Sequence, residues 1–285
     1  MKIWITGANG MLAGHFIQLL TQRKIDHVLT TKNQLDILSR KSVSTFIQEQ
    51  KPTHIINCAA YTQVDNAEKE LARALETNLV GPIHLAALSD EYGIPLVHFS
   101  SDYVFDGKRA LPFPEDHPHS PLNNYGYSKS EGEKALLERA KLGCVIRTSW
   151  LFGLSGKNFV DTMVKLMQEK ETLRIVSDQV GRPTYCKDLA EATLKLIGQT
   201  GVFHFANSNE TSWYAFAKEI HRQGLELGYR FKTKEIIPIT TKDYPTPAQR
   251  PAYSTLSTTK IEKTLGIVPR PWEEALTDYL KEAKR

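Results

Sequence analysis

A glycine-rich turn at residues 7–14 constrains the fold of this chain more than any other segment. An apolar run at 2–6 precedes the turn, which reads Gly-Ala-Asn-Gly-Met-Leu-Ala-Gly, and a helical pattern follows at 16–22. A turn of this kind between a buried strand and a helix is typical of dinucleotide binding. Gly7 permits the tight turn, Gly10 lets a pyrophosphate approach the backbone, and the small Ala13 lets the helix pack on the strand. The alternative is an ordinary strand-to-helix turn.

The order of the predicted strands and helices supports the same fold. Strand-like runs at 27–30, 54–58, 96–99 and 144–148 are separated by helical stretches, which predicts an α/β fold with a Rossmann-type doubly wound parallel sheet. From about residue 151 the alternation loosens, and a helix at 187–197 is expected to return to the first domain. We therefore expect a dinucleotide-binding domain at 1–150 with a returning segment near 185–200. A smaller, discontinuous α+β substrate-binding domain is expected at 151–184 and 201–285.

The end of the second strand bears on the choice of cofactor. In this fold an acid at that point binds the adenosine ribose and indicates NAD, whereas a cation accommodates the 2′-phosphate of NADPH. Here the strand ends in Thr30-Thr31-Lys32, without an acid. The sequence favours NADPH, with Lys32 as the cation. NADH stays possible, because the alternative for Lys32 is a solvated loop lysine.

Residues at the later strand ends are expected to line a cleft. Asp36-Ile37 begins a connection that in this fold class commonly lies against the adenine. The small Ala59-Ala60, before Tyr61, would let a planar ligand lie against the backbone. Ser101 follows the fourth strand and is placed to hydrogen-bond a substrate carbonyl oxygen, unless it merely caps a turn. The proline-rich segment 106–121 is expected to lie over the cleft entrance.

Tyr125 and Lys129 lie four residues apart at the start of an amphipathic run. In a helix the two side chains project from the same face, one turn apart. The nearby ammonium favours phenolate, so we expect it to lower the pKa of Tyr125 and ease proton transfer. A tyrosine and a lysine at this spacing are usually plain surface residues. Asn78, within another helical stretch, is either a surface residue or a kink that holds water near the site.

Composition and charge weigh against several classes of function. The net charge is +4 and is spread along the chain, which is too mild to indicate nucleic-acid or membrane binding. Cys58, Cys144 and Cys186 are far apart and form no CxxC pair, so reduced core thiols in a cytoplasmic protein are expected. No signal-peptide layout and no run long enough to span a bilayer is visible. No metal-ligand pattern appears either, so we predict no metal.

Gly7 with Gly10, Ala59-Ala60, Ser101, and Tyr125 with Lys129 together resemble the extended short-chain dehydrogenase/reductase family. Longer segments resemble one group within it, the dTDP-4-dehydrorhamnose reductases, and they extend over nearly the whole chain. These segments are residues 100–107, 123–133, 147–150, 178–184 and 244–251. The last one, Tyr-Pro-Thr-Pro-Ala-Gln-Arg-Pro, is much more specific than the glycine turn or the Tyr-Lys pair, which many relatives share.

The resemblance implies NADPH-dependent reduction of the 4-keto group of dTDP-4-dehydro-L-rhamnose to dTDP-L-rhamnose. Tyr125 would donate a proton to the keto oxygen, and Lys129 would bind the nicotinamide ribose and lower the pKa of Tyr125. Ser101, where relatives often have threonine, would hydrogen-bond the reacting oxygen. The positions that match the family's cofactor contacts are Gly10, Met11, Leu12, Asp36, Ile37, Ala59, Ala60 and Tyr61. We add Gly7, Asn9, Thr30, Lys32, Tyr125 and Lys129 to the cofactor set.

Substrate contacts are implied in the same way. Ser101, Asp102 and Trp150 match positions that contact the sugar nucleotide in the family, and we add Tyr103 from the same segment. The proline-rich segment 244–251 is expected to be a loop, either a rigid surface loop or a preorganised wall of the nucleotide-sugar pocket. Its Arg250 is a candidate for binding the diphosphate, because a planar guanidinium suits phosphate oxygens, and Arg182 is a weaker candidate.

Two alternatives stay open at this point. One is an NAD-dependent nucleotide-sugar epimerase or dehydratase of the same fold. The dehydratases usually carry an acidic pair after the active-site hydroxyl, whereas here Ser101 is followed by Asp102 and then Tyr103. The other is a non-catalytic regulatory subunit of methionine adenosyltransferase, which the intact Ser101, Tyr125 and Lys129 disfavour. A homodimer is possible; some relatives dimerise through a metal held by acidic residues, and no such cluster can be matched here.

Overall fold

The computed structural model describes residues 1–284 as ten α-helices and twelve strands. The strands are β1 (Lys2–Thr6), β2 (Asp26–Thr30), β3 (His54–Asn57), β4 (Leu96–Ser101), β5 (Gly143–Thr148), β6 (Leu151–Phe152), β7 (Thr172–Val176), β8 (Val180–Gly181), β9 (Thr184–Tyr185), β10 (Gly201–His204), β11 (Thr211–Ser212) and β12 (Glu235–Ile239). The helices are α1 (Met11–Gln22), α2 (Arg40–Gln50), α3 (Leu71–Leu75), α4 (Gly81–Tyr92), α5 (Asn124–Arg139), α6 (Phe159–Glu169), α7 (Cys186–Leu196), α8 (Trp213–Glu226), α9 (Thr259–Leu265) and α10 (Trp272–Ala283).

A six-stranded parallel sheet in the order β10-β5-β4-β3-β1-β2 is the centre of the fold. β1 lies between β2 and β3, so the chain builds outward on one side of β1 and then crosses to the other side. The carboxyl ends of β1 and β3 therefore flank a topological switch point, where open α/β sheets bind their ligands. The predicted Rossmann-type α/β fold is confirmed.

Alternation along β1 assigns its side chains to the two faces of the sheet. Ile3 and Ile5 belong to the core shared with α1 and α7, whereas Trp4 belongs to the core shared with α2 and α4. All three are fully buried, and burial of each such side chain stabilises the fold by roughly 1.5–3 kcal/mol. A strand that is apolar on both faces is what a parallel sheet covered by two helix layers requires.

A second core lies in the C-terminal half of the chain. It is built around Phe152, Val160, Phe216 and Trp272, with helices α6, α8 and α10 contributing most of its members. The small parallel sheet β7–β12 and two short strand pairs, β8–β11 and β6–β9, accompany it. Local capping defines the helix starts, because Asn158 accepts the Asp161 N–H at 3.0 Å and Ser212 accepts the Ala215 N–H at 3.1 Å.

The sheet also corrects part of the expected domain division. β10 pairs with β5 as an edge strand of the large sheet, and Ile261 of α9 joins the core on the α1 side. Residues 201–204 and α9 thus pack with the first domain, whereas the sequence prediction assigned all of 201–285 to the substrate-binding domain. The β10 strand is short, and its parallel partner lies far away in sequence, so its membership was not visible locally. In the described part of the chain, no helix has both the length and the apolar character that crossing a membrane requires.

Candidate active site

A continuous cleft runs along the carboxyl edge of the large sheet. It consists of a cavity of about 350 Å³ next to the β1–α1 turn and one of about 630 Å³ that extends over β4 and β5. The two cavities share Asn9, Gly10, Cys58, Ala59 and Ala60 in their walls. A ligand as long as a dinucleotide can therefore lie across both.

The glycine turn forms the floor between the two cavities. Gly7 has φ +62°, and a Cβ there would lie 2.7 Å from the Ala59 nitrogen, so only glycine fits. Gly10 caps α1 without a side-chain hydrogen bond, and Met11, Leu12 and Ala13 of the first turn line the larger cavity. Free amides at the positive end of a helix bind anions. The chain thus fits a dinucleotide pyrophosphate at this point.

A buried row of polar side chains holds the strand ends beneath the cleft. Thr6 Oγ1 donates to Asn57 Oδ1 at 2.6 Å, and that oxygen also accepts the Ala59 N–H at 3.2 Å. Asn57 Nδ2 meets His98 Nδ1 at 2.9 Å, and burial lowers the pKa of His98 well below its ordinary value. Neutral His98 and Asn57 therefore lock β1, β3 and β4 together without placing a charge in the core. No sequence motif had indicated this row.

The smaller cavity contains most of the residues predicted at the adenosine end. Lys32, Asp36 and Ile37 line it, and Asp36 Oδ1 accepts the Leu38 N–H at 3.0 Å. Thr30 does not line it, because its side chain is buried and accepts a hydrogen bond from Trp4 Nε1 at 2.9 Å. The neighbouring Thr31 lines the cavity instead. The two threonines differ because alternate residues of a strand face opposite sides.

Helix α5 brings Tyr125 and Lys129 into the larger cavity, as their spacing predicted. Asn123 caps the helix by accepting the Gly126 N–H at 2.8 Å. A Cβ on Gly126 would lie 2.1 Å from the backbone carbonyl oxygen of Tyr103, and a Cβ on Gly132 would lie 1.7 Å from the backbone carbonyl oxygen of Asn78. These two glycines let α5 pack directly on neighbouring backbone, which fixes the position of the Tyr-Lys pair.

Asn78 lies in a π-helical turn, Glu76–Val80, between α3 and α4. Its Oδ1 accepts the Tyr61 N–H at 2.9 Å, and its Nδ2 donates to the Tyr61 carbonyl at 3.0 Å and to Ser128 Oγ at 2.9 Å. Asn78 is therefore a buried tie between the β3 loop and α5, and the surface interpretation is wrong. Tyr61 was predicted to contact the cofactor, but it does not line the cleft. Asn78 holds the Tyr61 backbone, and the Tyr61 hydroxyl donates to Glu70 at 3.0 Å.

The electrostatics of Tyr125 differ from the expectation. Burial, followed by the nearby Asp102 charge, raises the pKa of Tyr125 to about 12, and a hydrogen bond with Ser101 lowers it only in part. Lys129 does not bring the pKa down, because its Nζ donates to the Phe99 carbonyl at 2.6 Å and burial lowers its own pKa to about 8. The phenol is thus protonated at neutral pH, which is the state a proton donor needs.

Ser101 caps a turn and also lies in the wall of the cleft, while its hydrogen bond to a substrate oxygen stays a prediction. Its hydroxyl donates to Asp102 Oδ1 at 2.8 Å and accepts the Tyr103 N–H at 3.2 Å, so it caps a short helical turn while lining the cleft. Burial raises the pKa of Asp102 to about 6, and hydrogen bonds from serine hydroxyls reduce the effect. Asp102 and Tyr103 also line the larger cavity, and their contacts with the substrate stay predictions.

Trp150 forms part of the wall of the larger cavity, and its contact with the substrate stays a prediction. Its φ of +46° is unusual for a large residue, and its ring stacks on Trp213 with centroids 3.5 Å apart at 8°. A Cβ on Gly181 would lie 2.7 Å from the Trp150 ring, so glycine leaves the indole room. Such strain at a cleft residue points to a functional constraint. The sequence did not reveal Trp213, which comes from α8 with no motif of its own.

The two arginines predicted for the diphosphate do not line the cleft. Arg250 binds both carboxylate oxygens of Asp65, with Nη2 2.8 Å from Oδ2, and also donates to the Ala248 carbonyl at 2.6 Å. Arg182 Nη1 donates to the Leu256 carbonyl at 3.2 Å. The loop around Arg250 contains neither helix nor strand, as predicted for 244–251. Its guanidinium holds this loop to Asp65, a partner that lies far away in sequence.

Segment 106–121 was expected to lie over the cleft entrance. None of its residues lines either cavity. Phe113 instead stacks on Phe105 with centroids 4.5 Å apart, and its N–H donates to the Thr255 carbonyl at 2.8 Å. Proline content alone indicated a loop and not its location.

The cleft also contains residues that were not among those predicted for the site. They come from loops and strand ends that only the fold brings together, namely Thr31, Leu35, Leu38, Cys58, Thr62, Val64, Thr77, Phe99, Ser100, Thr148, Ser149, Leu151, Ser155, Gly156, Lys157 and Trp213. Thr148 and Ser149, at the end of β5, could have been expected from the same strand-end rule as Ser101. Within residues 1–284, no group of three or more His, Cys, Asp or Glu side chains could hold a metal ion.

Comparison with known proteins supports one family. The family model described as RmlD substrate binding domain matches residues 1–285. The spore coat polysaccharide biosynthesis protein SpsK of Bacillus subtilis is 43% identical over 99% of this chain and 97% of its own length. The dTDP-4-dehydrorhamnose reductase of Aggregatibacter actinomycetemcomitans is 39% identical over 96% of this chain and 97% of its own.

A solved structure extends the similarity to three dimensions. The dTDP-4-dehydrorhamnose reductase of Bacillus anthracis, solved in complex with NADP, is 37% identical and has a TM-score of 0.94 over 99% of both chains. Similarity at this level extends over the cleft and both cores. The resemblance found in the sequence is confirmed, and this chain belongs to the dTDP-4-dehydrorhamnose reductase family of oxidoreductases.

Proposed function

We propose that this chain reduces the 4-keto group of dTDP-4-dehydro-L-rhamnose to dTDP-L-rhamnose with NADPH. One observation carries the proposal: Ser101, Tyr125 and Lys129 line a single cleft that continues into the glycine turn. A proton donor, a hydroxyl and a buried cation thus lie in the same cleft in which a dinucleotide would bind. The reductase of Bacillus anthracis, which is solved with NADP, supports this choice of cofactor.

The roles of the three residues follow from their protonation states and contacts. When bound, NADPH would supply the hydride that reduces the keto carbon. Tyr125 donates its phenolic proton to the keto oxygen, and its raised pKa keeps that proton in place at neutral pH. Ser101 hydrogen-bonds the same oxygen by turning its hydroxyl away from Asp102. Lys129 holds the nicotinamide ribose, with its Nζ oriented by the Phe99 carbonyl.

The cofactor is recognised at one end of the cleft and the sugar nucleotide at the other. Lys32, at the adenosine end, accommodates the 2′-phosphate and favours NADPH over NADH, while Asp36 and Ile37 lie against the adenine. Asp102, Tyr103 and Trp150 contact the sugar nucleotide at the other end. The single acid after Ser101 disfavours a dehydratase, which would need a second one.

The test is to mix the purified protein with dTDP-4-dehydro-L-rhamnose, made in situ by the upstream enzymes, and to follow NADPH absorbance. Oxidation of NADPH with formation of dTDP-L-rhamnose is the expected result. Absence of oxidation with either NADPH or NADH would refute the proposal.

Tyr125→Phe tests the proton donor in the same assay. Turnover should fall by at least ~100-fold, the usual contribution of a positioned acid. NADPH binding should be retained. Tyr127→Phe is the matched control, since Tyr127 lies on the same helix, is 44% exposed and does not line the cleft. Full activity of Tyr125→Phe would mean that another group donates the proton.

A further inference from the structure

The loop at residues 153–158, between β6 and α6, lies against the start of α1. The Leu154 N–H donates to His15 Nε2 at 3.0 Å, and a Cβ on Gly156 would lie 2.9 Å from Met11 Cβ. Asn158 Nδ2 donates to the Gly153 carbonyl at 3.0 Å and approaches Met11 Sδ at 3.9 Å. The loop comes from the second half of the chain but is fixed to the first turn of the cofactor helix.

Ser155, Gly156 and Lys157 of this loop line the larger cavity. They share that cavity with Asn9, Gly10 and the first residues of α1, whose free amides suit a pyrophosphate. Lys157 is exposed. The loop therefore places a lysine in the wall of the cavity that also contains the helix terminus.

The remaining basic residues of the cleft are committed elsewhere. Among the residues of 1–284 that line the two cavities, the basic side chains are Lys32, Lys129 and Lys157. Lys32 lies at the adenosine end, and Lys129 is buried with its Nζ on the Phe99 carbonyl. The helix terminus by itself offers about half a unit of positive charge, whereas a pyrophosphate carries about two negative charges. Lys157 supplies one further positive charge in the same cavity, which reduces the difference.

We propose that Lys157 binds the pyrophosphate of the dinucleotide cofactor opposite the first turn of α1. This inference rests on the dinucleotide-dependent function proposed above. The substrate also carries a diphosphate. The contacts of the loop with Met11 and His15 favour the cofactor, because they hold Lys157 beside the helix terminus that receives the cofactor.

The experiment measures cofactor binding directly, by fluorescence titration with NADPH and with NADH in the absence of sugar nucleotide. Lys157→Gln should raise both dissociation constants roughly tenfold, the usual effect of losing one charge-assisted contact to a phosphate. Both cofactors should be affected equally, because they share the pyrophosphate. Lys165→Gln, on the exposed side of the following helix α6, is the matched control and should leave both constants unchanged.

Three results would overturn the assignment. Unchanged dissociation constants would show that Lys157 does not contact the cofactor. A loss of affinity for NADPH alone would mean that Lys157 contacts the 2′-phosphate, which is the contact that Lys32→Gln is expected to remove. A higher KM for the sugar nucleotide with unchanged cofactor binding would assign Lys157 to the substrate diphosphate. Failure of the wild-type protein to bind either cofactor would instead refute the proposed function itself, so the two failures can be told apart.

Discussion

Asp102 is a buried acid whose ionisation should make the protein less stable as the pH rises. The residue is 2% exposed, and burial raises the pKa of its carboxyl group from 3.8 to about 6. The folded state therefore binds a proton more tightly than the unfolded state, so the protein loses stability as the pH rises from below 4 to above 6. For these two pKa values, linkage gives a loss of about 1.4 kcal/mol between pH 5 and pH 8.

The variant Asp102→Asn cannot undergo this titration, and its amide oxygen can still accept the Ser101 hydrogen bond. The free energy of unfolding of Asp102→Asn minus that of the wild type should therefore increase by about 1.4 kcal/mol from pH 5 to pH 8. Urea denaturation of both proteins at the two pH values measures this change, and the subtraction removes the titration of all other groups. The activity of Asp102→Asn should fall, because a buried acid that lowers stability in a cleft is typically retained for its function.

The control for this experiment is Asp243→Asn, which should show no change between pH 5 and pH 8. Hydrogen bonds from the Thr240 backbone and side chain lower the pKa of Asp243 below its ordinary value of 3.8, so its stabilising effect is lost only as the pH falls below about 4. The difference in the free energy of unfolding between Asp243→Asn and the wild type should thus be the same at pH 5 and pH 8. If the difference between Asp102→Asn and the wild type is the same at both pH values, or is smaller at pH 8, the reasoning about Asp102 is wrong.

Two further predictions concern stability and cofactor binding. Gly7→Ala should lower the free energy of unfolding by roughly 1–3 kcal/mol and weaken NADPH binding, because φ is +62° and the new methyl group would meet Ala59; unchanged urea midpoints and dissociation constants would contradict this. Arg147→Met should cost about 3–5 kcal/mol, because it leaves the Glu133 carboxylate buried without the guanidinium that binds it. Adding Glu133→Gln to Arg147→Met should recover part of the loss in urea denaturation, and a second loss of equal size would show that the charge is not the cause.

The fold could be predicted well because its signals are local. The glycine turn, the apolar strands and the helices between them each follow from residues that are neighbours in sequence. The positions of Ser101, Tyr125 and Lys129 in the cleft also followed, since strand ends and helical spacing place side chains by rule. The resemblance to a family then indicated which substrate is reduced, because the longest segments that carry the resemblance include residues of the cleft.

The predictions failed where the partner of a side chain lies far away in sequence. Arg250 suits a diphosphate by its chemistry, but Asp65, 185 residues away, binds it. Thr30 is held by Trp4, Asn78 ties Tyr61 to α5, and β10 joins the large sheet through β5. A sequence pattern cannot reveal which of several suitable partners the folded chain brings within 3 Å.

The sequence by itself determined the fold class, the dinucleotide turn and the chemical types at the reacting centre, because these depend on local geometry and on which side chains can transfer a proton. The tertiary structure alone decided the protonation states and the remaining walls of the cleft. The pKa of Tyr125 rises because of burial and the nearby Asp102 charge, while the Lys129 ammonium is directed to a backbone carbonyl. Burial and the direction of a hydrogen bond depend on the packing of the whole chain, as does the presence of Lys157 in the same cavity wall as the start of α1.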